Sequence, residues 1–101
     1  MMRTIAPAII LTAIAFPAQA ALSGFYDSAE QIRTILDSSG VADALGQLPI
    51  ESIEYDGARA DGALKWEVET ADCVLNVYLI PVQPHGVGKT TYQIELKDTC
   101  R

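Results

Sequence analysis

Two cysteines, a lone histidine and a short Gly/Lys/Thr run are the residues of this 101-residue chain whose types and spacing bear most directly on chemistry. Cys73 and Cys100 are the only cysteines, and His85 is the only histidine. A structural zinc site draws on closely spaced Cys and His pairs. Two cysteines this far apart with one His therefore read as a disulfide rather than as a metal pair or a reactive thiol. That bond would close a loop of about 28 residues and contribute on the order of 3 kcal/mol through chain entropy. Gly86-Val87-Gly88-Lys89-Thr90-Thr91 resembles the end of a phosphate-binding loop, but Gln83 stands where the first Gly belongs. The flanking pattern is also strand–loop–strand, where the motif needs a strand followed by a helix. The segment Gln83 to Lys89 reads instead as a flexible Pro/Gly-rich hairpin loop. His85 lies in it without the partners that a triad or a metal site requires. Glu67, Glu69 and Glu95 fall on the charged side of strands, and a glycosidase-type carboxylate pair needs a cleft. The expectation is no catalytic set, no metal and no cofactor. The alternative is a small-ligand binder or minor enzyme using the His85 loop.

The first twenty residues have the three-part layout of a secretory signal peptide. Met1-Met2-Arg3 is the positive start, Ile5 to Phe16 the uncharged apolar run, and Ala18-Gln19-Ala20 the small-residue cleavage site before Ala21. The apolar run is shorter than the ~20 residues a membrane span requires, and no Cys follows the cleavage site to carry a lipid. The predicted organisation is a signal peptide over 1–20 and one small α+β domain over 21–101, periplasmic or secreted, with no membrane span. Without Arg3, thirteen acidic side chains face six basic ones, a net charge near −7. Acidity of this size without a basic cluster argues against nucleic acid and anionic membranes as partners. It serves solubility, or steers the protein toward a basic partner.

The elements that must position these residues follow from periodicity. Asp27-Ser28-Ala29-Glu30 has the form of a capping box, and Ala29, Ile32, Ile35 and Leu36 follow with helical spacing. Residues 21–26 then form a short arm whose Phe25 or Tyr26 packs across the helix start. Ser38-Ser39-Gly40 stops the helix, and Val41 to Leu45 form one more helical turn ended by Gly46. From Ile50 the period becomes two, with strands near 50–56, 63–70, 73–82 and 90–98. Placing Cys73 opposite Cys100 puts Val77 against Leu96, Leu79 against Ile94 and Pro81 against Tyr92. A turn at Ala71-Asp72 puts Val68 against Leu75, Trp66 against Val77 and Leu64 against Leu79. A loop over Ala58 to Asp61 puts Tyr55 against Leu64 and Ile53 against Trp66. All three hairpins bury the same face, and a one-residue slip would turn a strand inside out. Asp98 and Glu51 are the exceptions, placed inward at the sheet margins, and Ala71-Asp72 lacks the customary turn Gly.

The predicted fold is thus an N-terminal helix, with a short helical turn, packed on one face of a four-stranded antiparallel meander. Its core is Leu64, Trp66, Val68, Leu75, Val77, Leu79, Ile94 and Leu96 against Ile32, Ile35 and Leu36. The opposite face carries Tyr78 and Ile80 on the central third strand, with Lys65 and Glu95 beside Tyr78 and Gln93 beside Ile80. An aromatic centre with polar flanks has the composition of an interaction hot spot. Tyr78, Ile80, Lys65 and Glu95 are therefore the candidate protein-binding residues, with the Gln83–Lys89 loop at the rim.

Two resemblances rest on particular residues. Asp27-Ser28-Ala29-Glu30-Gln31-Ile32, then Leu45-Gly46-Gln47-Leu48-Pro49, then Trp66 and a meander resemble small envelope domains of the beta-lactamase-inhibitor-protein-like type. These include the small outer-membrane-assembly lipoprotein, with its Leu-Gly-x-Pro turn after such a helix. This chain has one extra residue between Gly46 and Pro49 and lacks the lipid-bearing Cys. Ile53-Glu54-Tyr55-Asp56 followed by Trp66-Glu67-Val68-Glu69 is also similar to the peptidase-propeptide type called PepSY. Each resemblance covers about half of the expected domain. Both imply a binding or inhibitory module rather than an enzyme. The function expected is a small exported, disulfide-stapled, non-enzymatic module that binds another protein as inhibitor, regulator or envelope-complex accessory. Intact-mass analysis with alkylation is expected to find Cys73 and Cys100 blocked until a reductant is added. Two freely alkylated thiols in natively isolated protein would refute the bond.

Overall fold

A computed structural model describes residues 23–100. The expected signal peptide over 1–20 lies outside the described residues, as do 21, 22 and 101. Helix α1 spans Gly24–Leu36 and helix α2 spans Ser39–Ala44, followed by strands β1 (Ser52–Ala58), β2 (Leu64–Glu69), β3 (Val74–Val82) and β4 (Thr91–Glu95). The strands form one antiparallel sheet in the order β1-β2-β3-β4, a meander with the helices on one face. This is the expected α+β architecture. Among the described residues no helix is long and apolar enough to cross a membrane.

Helix α1 starts earlier than its sequence predicts. Ser23 is the N-cap, its Oγ accepting from the Tyr26 amide at 3.4 Å. The Asp27 carboxylate, the expected cap, instead accepts from the Tyr92 hydroxyl at 2.7 Å and from Gln31 Nε2 at 3.1 Å. Phe25 and Tyr26 lie inside the first turn and are exposed, so neither packs across the start. The buried stripe runs through Gln31 and Ile35, with Ile32 beside it. Leu36, expected in the core, is 55% exposed. It lies about 100° around the helix from Ile35, off the stripe. Ser38 Oγ caps α2 by accepting from the Val41 amide at 3.1 Å, and α2 brings Val41 and Leu45 into the core. Gly46 takes the left-handed conformation that ends α2, with φ +65°, as a helix-terminating Gly commonly does.

Two of the three hairpins have the register that alternation predicts. Leu64 pairs Leu79, Trp66 pairs Val77 and Val68 pairs Leu75. Leu79 pairs Ile94 and Pro81 pairs Tyr92. The tight turn without Gly is held by Thr70, whose Oγ1 accepts from the amides of Asp72 at 3.3 Å and Cys73 at 3.2 Å. A hydroxyl thus does locally what a turn Gly does through its backbone. The β1–β2 register differs from expectation by two residues: Tyr55 pairs Trp66 and Ile53 pairs Val68, and a bulge separates Tyr55 from Ala58. Gly57, at φ +95°, sits in that bulge rather than at a loop end. A shift of two keeps each side chain on its face while changing its partner. Asp98 and Glu51 are exposed, not inward. Past Glu95 the chain leaves the regular ladder, and Asp98 accepts from Asn76 Nδ2 at 3.4 Å.

The core comprises Ile35, Val41, Leu45, Trp66, Val68, Leu75, Val77 and Leu79, with Ile32, Leu64, Ile94, Leu96, Cys73 and Cys100 among the residues packed against it. Cys73 and Cys100 are disulfide-bonded, their Cα atoms 5.4 Å apart. One polar group is built into the helix–sheet interface. Gln31, 6% exposed, accepts from Trp66 Nε1 at 2.9 Å and donates to Asp27 and, at 3.5 Å, to the Tyr92 oxygen. Burial, and then the bond to Asp27, push the Tyr92 hydroxyl up to about 12. The phenol therefore stays a donor through the neutral range.

Gln31→Ala is expected to cost about 1–3 kcal/mol, because it leaves the buried indole N–H of Trp66 without a partner. Trp66→Ala is expected to cost about 3–5 kcal/mol, most of a small domain's stability. Urea unfolding of both, with the exposed Arg33→Ala as a reference expected within about 0.5 kcal/mol of wild type, checks the ranking. A Gln31→Ala midpoint equal to that of Arg33→Ala would show that the interface does not depend on the glutamine.

Candidate functional site

The sheet face away from the helices is organised as a row. Asp56 on β1, Lys65 on β2, Tyr78 on β3 and Glu95 on β4 lie side by side, with Lys65 directly opposite Tyr78 and Tyr78 directly opposite Glu95. Lys65 Nζ is 3.0 Å from Asp56 Oδ2, and that hydrogen bond raises the lysine pKa. Ile80 stands one pleat further along β3, opposite Gln93. The four residues expected as a binding patch are thus neighbours on one face. Tyr78 and Ile80 are half-buried rather than open.

The cover over Tyr78 is Arg59, which strand alternation assigns only to the 58–61 loop. The hairpin after β1 closes between Arg59 N–H and the Ala63 carbonyl at 2.7 Å. The two-residue shift that accompanies the Gly57 bulge carries Arg59 over the sheet. Its guanidinium carbon lies 4.7 Å from the Tyr78 ring centroid, a cation–π distance. The same group donates to Asp61 through Nε at 2.9 Å and Nη2 at 2.6 Å, and to Glu95 through Nη1 at 3.3 Å and Nη2 at 3.4 Å. Two-pronged contacts with two carboxylates fix a planar fork as a single-point contact would not. The Arg59 hydrogen bonds hold the Asp61 carboxyl down to about 2, assisted by the Ala63 amide, and also lower the Glu95 carboxyl. The guanidinium is held still more firmly in its charged form by the same two carboxylates. The local signal for this arrangement was the Arg59-Ala60-Asp61 spacing beside a bulge-forming Gly57, but alternation alone does not place a residue past a bulge.

On the helix side, a cleft of about 300 Å³ opens between α1 and the β1–β2 hairpin, lined by Asp27, Ser28, Gln31, Tyr55, Leu64 and Trp66. Tyr55 meets Trp66 edge-to-face at 5.5 Å and is 54% exposed. A second cavity of about 310 Å³, largely apolar, lies where α1, α2 and the approach to β1 meet, and includes Leu36, Leu48 and Ile50. The His85 loop is a β3–β4 hairpin connection, as expected. His85 is exposed, and Lys89 Nζ is paired with Glu30 Oε1 of α1 at 3.0 Å, which ties the loop's end to the helix. No cluster of three metal-ligating side chains occurs among the described residues.

No family model, curated protein or solved structure matches the chain.

The pH dependence of the Arg59 cluster has a definite sign. Asp61 is about 2 folded against an ordinary 3.8, so its contribution is complete above the ordinary value and is lost as pH falls through about 2. Stability should fall on acidification from about pH 4 to 2, and less steeply in Arg59→Ala. The difference should shrink with added salt, because Asp61 is exposed and Arg59 only half-buried. Urea unfolding across this range at low and high salt measures it. Parallel acid limbs for the two proteins would contradict the coupling.

Proposed function

We propose that the protein is a small exported module that binds another protein through the outer sheet face around Tyr78, Ile80, Lys65 and Glu95. The observation that carries the reading is the Arg59–Tyr78 stack at the centre of that face. Arginine and tyrosine are among the residue types that dominate binding energy at interfaces, and this pair is held in place before any partner arrives. Asp61 and Glu95 fix the guanidinium, and β3 fixes the ring, so little side-chain entropy is left to lose on association. The disulfide suits an oxidising compartment, in agreement with the signal-peptide layout of residues 1–20. The resemblances to inhibitor-like envelope domains and to PepSY propeptides point to the same class of activity.

Partner capture from the extracytoplasmic fraction of the native host tests the reading. A single stoichiometric protein partner is expected. Tyr78→Ala and Arg59→Ala should each weaken its binding by more than about 1 kcal/mol. Thermal melts accompany the titrations, so that a loss of fold is distinguished from a loss of contact. Undiminished capture by both folded variants would remove the outer face from consideration. Enzymatic turnover abolished by His85→Ala would replace the binding reading with one centred on the hairpin loop.

A further inference from the structure

Strand β1 is an outer strand of the sheet, and among the described residues no strand pairs with its far edge. Its middle residues Glu54, Tyr55 and Asp56 are all exposed. Glu54 stands directly opposite Glu67 on the outer face, and like charges in that position oppose pairing. Asp56 has a cation in Lys65. Glu54 and Glu67 have none within salt-bridge distance among the described residues. On the inner face the same strand presents Tyr55, whose ring lines the cleft beside Trp66. The edge therefore has two distinct sides: a pair of facing carboxylates without a salt bridge above and an open aromatic shelf below.

We infer that the free edge of β1 takes an extended segment of a partner protein as a fifth strand, with a Lys or Arg opposite Glu54 reaching the Glu54–Glu67 pair on the outer side and apolar residues on the inner side resting beside Tyr55. Strand addition supplies main-chain hydrogen bonds for affinity and alternating side-chain positions for selection. The occupant follows from charge. A second copy of this chain would set Glu54 and Asp56 against the same carboxylates, which is how acidic edges discourage self-pairing. A basic segment removes the repulsion that the free sheet retains, and the acidic chain, at −6 overall, attracts it from a distance. The inference rests on the reading of the protein as a binding module but uses the β1 edge and Glu54 rather than Tyr78 and Arg59, so either can fail alone.

The test is an NMR titration of the protein with a short end-capped peptide alternating Lys and Val. Amides of Ser52–Ala58 are expected to shift and to gain exchange protection. The Glu/Val counterpart should not bind. The Lys/Val peptide carrying backbone N-methyl groups on its edge-facing residues should bind at least ~10-fold more weakly, because its donors are gone. Glu54→Lys should also lower affinity at least ~10-fold, while Asp43→Lys, the same charge change at an exposed position of α2, stays within ~2-fold. No binding of the Lys/Val peptide, equal binding of the N-methylated peptide, shifts centred away from β1, or equal losses in Glu54→Lys and Asp43→Lys would each overturn the inference. The peptide variants keep the test decisive even if a protein variant fails to fold.

Discussion

The hydrogen bond from Trp66 Nε1 to Gln31 Oε1 is the contact on which the two layers depend. Apolar packing presses helix and sheet together but does not by itself say where along the sheet the helix sits or how it is rolled. A buried indole N–H does, because it tolerates only a short list of partners. Gln31 meets it with its oxygen and uses its nitrogen on Asp27 and on the Tyr92 hydroxyl, which itself donates to Asp27. These four side chains join α1 to β2 and β4, the strands on either side of β3. Helix roll, helix position and the placement of β4 are thus specified together, and a slip in any of them would leave a buried donor unmet.

This arrangement explains which parts of the fold were legible in the sequence. Alternation of Leu64, Trp66 and Val68 with Lys65, Glu67 and Glu69 set the inner face, and the cysteine spacing set the β3–β4 register. Both rest on period-two geometry that admits no intermediate answer. The helix was legible as an element but not in its details. The Asp27 box has the form of a cap, yet its carboxylate serves the sheet, and Ser23 takes over four residues earlier. The Ala29–Ile32–Ile35–Leu36 stripe contained two of the right residues. It omitted Gln31 because a polar residue at the centre of a buried face is visible only once its partners are known. The β1–β2 pairing was placed on the correct face and two residues out, since a bulge changes partner without changing side.

The candidate site shows the same division. Tyr78, Ile80, Lys65 and Glu95 were placed together by register alone, and their adjacency follows from β2–β3–β4 geometry. Arg59 was not placed, because its position depends on the Gly57 bulge and on carboxylates from two other segments, Asp61 and Glu95. The outer face is consequently tighter than an alternating strand pattern implies. Asn76, on the same side of β3, is itself buried, with its Oδ1 lacking a hydrogen-bond partner. The two faces of β1 also differ, acidic above and aromatic below, for the same reason of alternation.

The disulfide encloses β3, the hairpin loop and β4 in one covalent ring and leaves α1, α2, β1 and β2 outside it. Under tension the consequence is mechanical. Force pulled through the backbone enters the ring at Cys73 and leaves through sulfur to Cys100, so the ladder between β3 and β4 carries none of it. The load falls on the docking of α1 and on the pairing of β1 and β2, where only non-covalent contacts resist. The chain is built as a shackle with a detachable front half, and the glutamine beneath Trp66 is the pin.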